Sequence, residues 1–170
     1  MPEPETDFKS VVRLLAESQI EFIVIGGIAA IAHGAGRVTY DVDVVYRRTR
    51  ENMQRIVEAF APIQPYLRGA PPGLPFKLDF ATMRSGLNFT LITTLGQVDL
   101  LGEVAGDGTY DALLPHSEVR EIFDVLAPCV TLEKLIALKR AAGRPKDFEP
   151  IAELEAIRQE RLSGRTDFQP

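Results

Sequence analysis

Apolar residues recur at helical spacing in the opening segment. Phe8, Val11, Val12 and Leu15 fall on one face, and Thr6 or Asp7 is placed to cap the helix they predict. The period then changes. Phe22-Ile23-Val24-Ile25 is a short, β-rich apolar run stopped by glycine, which predicts a strand over 21–25 and a tight turn at Gly26-Gly27. A short helix of small residues follows from Ile28 to His33, ended by Gly34 and Gly36. Val38 to Tyr46 predicts a second strand, with Asp41 and Asp43 on one face and Val42 and Val44 on the other. Met53, Ile56, Val57 and Phe60 form the stripe of a helix that Thr49 can cap. Pro62, Pro65, Pro71, Pro72 and Pro75 mark a long irregular connection. Phe76, Leu78 and Phe80 alternate with Lys77 and Asp79, predicting a third strand. Leu87–Thr93 and Gln97–Leu101 bracket Thr94-Leu95-Gly96 as a hairpin, and Glu121–Leu126 predicts a last short strand. Thr131 can cap a helix carrying Leu132, Leu135, Ile136 and Leu138, stopped by Gly143. Pro145 stands where a first helical residue belongs, and Phe148, Ile151 and Leu154 continue a final helix.

These elements predict an α/β (α+β) fold: a mixed sheet of about four to six strands flanked by helices, with a short C-terminal helical part. The expected division is a core over 1–126, C-terminal helices over 127–162 packed on that core, and a tail over 163–170. The 170 residues suit one domain. Charge narrows the partners. With 19 Lys and Arg against 24 Asp and Glu, the net charge is −5, and no global positive field exists to hold nucleic acid without sequence preference. Cys129 is alone, which excludes an internal disulfide, and His33 and His116 are too few for a His-rich metal centre. The apolar run Phe22–Ala32 is too short and too glycine-broken to cross a bilayer. With an acidic N-terminus that lacks a signal-peptide pattern, a cytoplasmic location and no membrane partner are expected.

The chemistry concentrates in two places. Asp41 and Asp43, two apart on a strand, project from one face, so their carboxylates lie close and repel. A chain tolerates that cost when a cation sits between them, and magnesium takes oxygen ligands of this kind. A third acid on a neighbouring strand would complete a two-metal site, with ions roughly 3.5–4 Å apart. Asp99 is the best candidate, because it is flanked by apolar residues on a predicted strand, where a lone carboxylate is unwelcome. Asp79 is the rival, less favoured because Lys77 offers it a partner. Gly26-Gly27 supplies the phosphate end: glycine lets backbone approach a phosphate, and the following helix points N–H groups at an anion. A Rossmann dinucleotide site is disfavoured, since Gly-x-Gly is missing, the acids come as a pair, and no further βαβ units follow. Arg37 serves either the site or a carboxylate partner, and Thr39 either the site or the strand. Lys139 and Lys146 serve either a bound anion or the ends of their helices. Asp147 fits the first turn of the last helix, His33 a helix end, and Cys129 a buried, inert thiol.

Gly-Gly, a spacer and then Arg37-x-Thr39-x-Asp41-x-Asp43, followed by Gln97-Val98-Asp99-Leu100-Leu101, resembles the DNA polymerase beta-like nucleotidyltransferase superfamily. The closer likeness is to its small members: minimal nucleotidyltransferases, lincosamide-type adenylyltransferases and AbiEii-type toxins. Leu138-Lys139-Arg140 and Gly143-Arg144-Pro145-Lys146-Asp147 resemble the late helices that present basic residues near the triphosphate. The resemblance implies transfer of an NMP from an NTP to an acceptor (RNA, protein or small molecule) with release of pyrophosphate. It implies that Asp41 and Asp43 bind two ions of Mg²⁺ or Mn²⁺, and that Asp99 binds the catalytic ion and acts as base. Gly26 and Gly27 would hold the triphosphate, with Lys139 or Lys146 neutralising it and Arg37 and Thr39 on the nucleotide side. A toxin or antitoxin partner also follows from the likeness. An inactive NTP-binding or regulatory module with the same fold is the alternative.

Overall fold

The structure, a computed structural model, describes residues 5–166. Helix α1 (Phe8–Glu17) starts at Asp7, whose carboxylate accepts the Ser10 N–H at 3.1 Å, and it buries Val11, Val12 and Leu15. Strand β1 (Phe22–Ile25) is buried throughout. It runs directly into the short helix α2 (Gly26–Ala32), which returns through an irregular loop to β2 (Asp41–Tyr46). Thr49 caps α3 (Arg50–Phe60). After β3 (Tyr66–Leu67) and α4 (Phe80–Ser85), strands β4 (Asn88–Thr93) and β5 (Gly96–Leu101) form the predicted hairpin. A small ribbon of β6 (Glu103–Val104) and β7 (Gly108–Thr109) leads into α5 (Tyr110–Leu113). Strands β8 (Ser117–Ile122) and β9 (Val125–Val130) follow, then α6 (Leu132–Ala142) and α7 (Phe148–Thr166).

Among the described residues the main sheet has seven strands in the order β3-β4-β5-β2-β1-β9-β8. Its pairings are mixed: β2 runs parallel to β5 and antiparallel to β1, while β1 runs parallel to β9. This is the expected mixed α/β sheet flanked by helices. The alternation of β2 survives in its burial, since Val42 and Val44 are fully buried while Asp41 and Asp43 keep partial access. Thr131 caps α6 through the Lys134 N–H, and Gly143 ends it in the left-handed region at φ 64°. The apolar faces of α6 and α7 join the same core as the sheet, through Leu132, Leu135, Ile136 and Leu154. The expected boundary between 126 and 127 falls inside β9, whose Cys129 pairs with Val24 of β1.

Several local expectations change. The third strand does not run through Phe76–Phe80. Asp79 instead caps α4, its carboxylate accepting the Thr82 N–H at 2.8 Å, and the sheet edge is held by Tyr66–Leu67. Five alternating residues also fit an extended lead-in to a helix, and the cap decides the outcome. The last short strand proves to be a two-stranded hairpin, 117–130, turning at Phe123 and Asp124 with φ 50° and 66°. Two consecutive left-handed residues make the turn that suits the twist of a hairpin, and here no glycine or asparagine announces it. Phe123 is fixed by stacking on Phe8 at 5.4 Å between ring centres. Gly26 and Gly27 form the first turn of α2, where a separate tight turn was expected. Helix α7 continues through residues 163–166 of the expected tail, and 167–170 lie outside the described residues.

Candidate metal and nucleotide site

The parallel register of β2 on β5 sets Asp43 directly beside Asp99, with Asp41 two residues back on the same face of β2. One carboxylate oxygen from each of the three acids lies within 4.8 Å of the others. Asp43 is the most enclosed, and its Oδ1 is buried with no hydrogen-bond partner. Its carboxyl is pushed up to about 8, first by burial and then by the negative charges of Asp41 and Asp99. Burial also raises Asp99, against the pull of the Arg68 guanidinium. Three hard oxygen donors converging on one point, one of them orphaned, suit a divalent cation such as magnesium.

The glycine pair makes room for these acids. Gly26 sits at φ 67°, and a Cβ there would run into the Asp43 carboxylate. A Cβ on Gly27 would come 2.6 Å from Thr39 Oγ1. Thr39 in turn donates its hydroxyl to Asp41 Oδ1 over 3.3 Å. The adjoining acid and threonine already require both positions to lack a side chain.

A cleft of about 440 Å³ opens beside the acids. Gly26, Asp43 and Asp99 line it together with Lys139 and Arg144, and Leu101, Val104, Leu135 and Leu138 add apolar surface. Arg144 Nε donates to Asp147 Oδ2 at 2.7 Å, and Lys139 Nζ stands 3.9 Å from Asp147 Oδ1. Asp147, expected at a helix start, is buried as the anchor of both cations. Burial lowers the Lys139 ammonium, with the Asp147 carboxylate opposing the shift.

Arg37 turns away from the acids. Its Nε donates to Glu153 Oε2 at 2.9 Å, and Nη2 lies 3.6 Å from Glu149 Oε2, both on α7. With Gly27, Thr39 and Lys139 it lines a second, smaller cleft. Lys146 is exposed on the turn before α7 and does not line the main cleft, where Arg144 provides the second cation. Asp79, the rival third acid, is spent on the α4 cap. The residue that sequence reasoning missed is Arg68, which bonds Asp99 across β4 from the β3 edge of the sheet. It follows a two-residue strand in the proline-rich connection and belongs to no motif. His33 ends α2 as expected and is buried, with Nε2 2.7 Å from the Val130 carbonyl. Burial pushes the Cys129 thiol up to about 12. Among the described residues no helix is long and apolar enough to cross a membrane.

No family model matches the chain, and no curated protein matches it. A solved structure does: that of a candidate nucleotidyltransferase from Thermotoga maritima. It matches over 91% of this chain and 90% of that one, at 13% identity and a TM-score of 0.50. The chain has a nucleotidyltransferase-like fold. At this identity the likeness carries the fold, and the chemistry has to be argued from Asp41, Asp43, Asp99 and the cleft beside them.

Proposed function

We propose that the chain is a metal-dependent nucleotidyltransferase, which moves a nucleoside monophosphate from an NTP to an acceptor. The observation that carries this is the convergence of three carboxylates, with Asp43 Oδ1 buried and unpartnered and with Asp43 and Asp99 lining a cleft that Lys139 and Arg144 also line. Asp41, Asp43 and Asp99 are the residues that would hold magnesium or manganese. Bound there, the metal supplies electrostatic stabilisation of the charge that develops on the phosphoryl oxygens.

The chain's own residues account for the rest. Lys139 and Arg144 offer positive charge to a triphosphate, and Asp147 holds both in place. Gly26 lines the cleft beside the acids, and its backbone is the contact proposed for the triphosphate. The apolar wall of Leu101, Leu135 and Leu138 suits the face of a nucleobase. Asp99 accepts the proton of the attacking acceptor hydroxyl. The acceptor oxygen then bonds to the α-phosphorus, the bond to the bridging oxygen breaks, and pyrophosphate leaves. Thr39 positions Asp41. Arg37 has a positioning role in this scheme, clamping the loop before β2 to Glu149 and Glu153 of α7. Lys146 has no part in it.

The test is label transfer from each α-labelled NTP with Mg²⁺ or Mn²⁺, using cell extract as the acceptor mixture and Asp43→Asn as control. Label that appears with the wild type and vanishes with the variant supports the proposal. Nuclease or protease sensitivity of the product assigns RNA, protein or small molecule as acceptor. A toxin's role predicts growth arrest on expression that Asp43→Asn abolishes. NTP binding with no transfer to any fraction would favour a regulatory module.

A further inference from the structure

Arg68 is a half-buried cation that the proposed chemistry leaves unused, and it sits on the acids themselves. Its backbone N–H donates to the Thr90 carbonyl at 3.0 Å, tying the residue to β4 just beyond β3. From there the side chain, only 16% exposed, reaches across to β5 and β2. Nη2 donates to Asp99 Oδ1, Nη1 donates to Gln97 Oε1 at 2.8 Å, and Nη1 stands 3.7 Å from Asp41 Oδ2. Arg68 does not line the cleft that holds Lys139 and Arg144. It reaches the acids from the β3–β4 edge of the sheet.

The three acids are therefore unequal. Asp43 presents an oxygen with no partner. Asp99 and Asp41 present oxygens already engaged by a guanidinium. A divalent cation held by the same oxygens would face a fixed positive charge at contact range. It can share the site only if Arg68 swings off.

We propose that Arg68 is a built-in counter-ion of the acid cluster, which competes with divalent metal for Asp99 and Asp41. Metal uptake at Asp99 then requires Arg68 to release it, whereas no side chain has to leave Asp43 Oδ1. The inference rests on the metal-binding role proposed above and adds an order of occupancy to it.

The experiment is Mn²⁺ binding to the metal-free full-length protein, followed by the EPR signal of free Mn²⁺. Arg68→Gln keeps a hydrogen-bonding side chain and removes the charge, while Arg68→Lys keeps the charge and removes the fork. The weaker Mn²⁺ binding event of the wild type should tighten by about tenfold or more in Arg68→Gln. It should stay near the wild-type value in Arg68→Lys. Affinity in a folded Arg68→Gln protein that is unchanged or weaker overturns the inference. A second readout needs no folded variant. Hydrogen-bonded Arg68 guanidinium N–H signals in the NMR spectrum of wild type should be restricted without metal and become freely averaging as Mg²⁺ saturates. Signals unchanged at saturation overturn the inference equally. If Mn²⁺ binding is abolished by Asp43→Asn but untouched by Arg68→Gln, the competition is wrong and the metal site stands. If wild type and Arg68→Gln both bind no Mn²⁺, the metal site and the competition fall together.

Discussion

Asp43→Asn should stabilise the metal-free protein. In the folded chain the Asp43 carboxyl is pushed up to about 8 from an ordinary 3.8, chiefly by burial. At pH 7 it is therefore held mostly protonated, whereas in the unfolded chain it is ionised. Taking up that proton at neutral pH costs about 4 kcal/mol at the standard conversion. Asparagine has the same shape as the neutral acid and avoids the cost, so a gain on the order of 2–4 kcal/mol is expected at pH 7. For a chain of this size that raises Tm by roughly 5–15 °C. The sign fixes the pH dependence. A carboxyl raised in the folded state favours folding most below its unfolded value, and that advantage is lost as pH climbs toward about 8. The variant's gain should therefore vanish near pH 4 and grow by about 1.4 kcal/mol per pH unit above it. It should level off above the folded value. Thermal and urea unfolding in EDTA at pH 4, 5.5, 7 and 8.5 measure this. Saturating Mg²⁺ should raise the Tm of the wild type and leave that of Asp43→Asn unmoved, since ligand that binds only the folded state stabilises it. A variant less stable than wild type in EDTA at pH 7, or a gain independent of pH, would refute the account of Asp43 as a costly, unpartnered acid.

The other expectations follow from single contacts. Gly26→Ala should cost about 2–4 kcal/mol in urea unfolding, because it combines a left-handed backbone with a collision against Asp43. Arg144→Ala should weaken binding of a fluorescent NTP analogue roughly tenfold, while Lys146→Ala, outside the cleft, should leave it within about twofold. Leu135→Ala, at a side chain only 1% exposed under the cleft wall, should lower stability by about 2–4 kcal/mol by differential scanning calorimetry. Arg37→Ala should raise protease sensitivity of the 34–40 loop before it alters NTP affinity, since its partners are Glu149 and Glu153.

The acids were legible because their chemistry and their geometry coincide in local sequence. Asp41 and Asp43 share a face by the two-residue period of a strand, and Asp99 betrays itself as a carboxylate among apolar strand residues. What periodicity cannot supply is register, and register is what brings Asp99 beside Asp43. Arg68 was illegible for the same reason. Its partners lie 27 or more residues away across three strands, and the two-residue strand that carries it gives no alternation to read. The hairpin at Phe123-Asp124 was hidden differently. Its left-handed pair lacks the glycine or asparagine that marks such turns, and the stacking of Phe123 on Phe8 is a tertiary contact. Lys146 was hard to weigh in sequence because helix ends collect cations whether or not a ligand is near, and it stands outside the main cleft.

The acid cluster also explains why the surrounding structure is so closely specified. Like charges within 4.8 Å oppose the folded state unless something offsets them. Two offsets are visible, and they act on different acids. Arg68 covers Asp99 and Asp41 from the β4 side, while Asp43 is left to be neutralised by a proton. Both are reversible: a guanidinium can swing and a proton can leave. The rigid parts lie just outside. Gly26 leaves the space Asp43 needs, Thr39 bonds Asp41, and Asp147 holds Lys139 and Arg144. A cluster built only for stability would replace one acid with a neutral residue, as Asp43→Asn does, and gain by it. Retaining three acids with only displaceable offsets is the arrangement expected of residues that hold a divalent cation, the role proposed for them above.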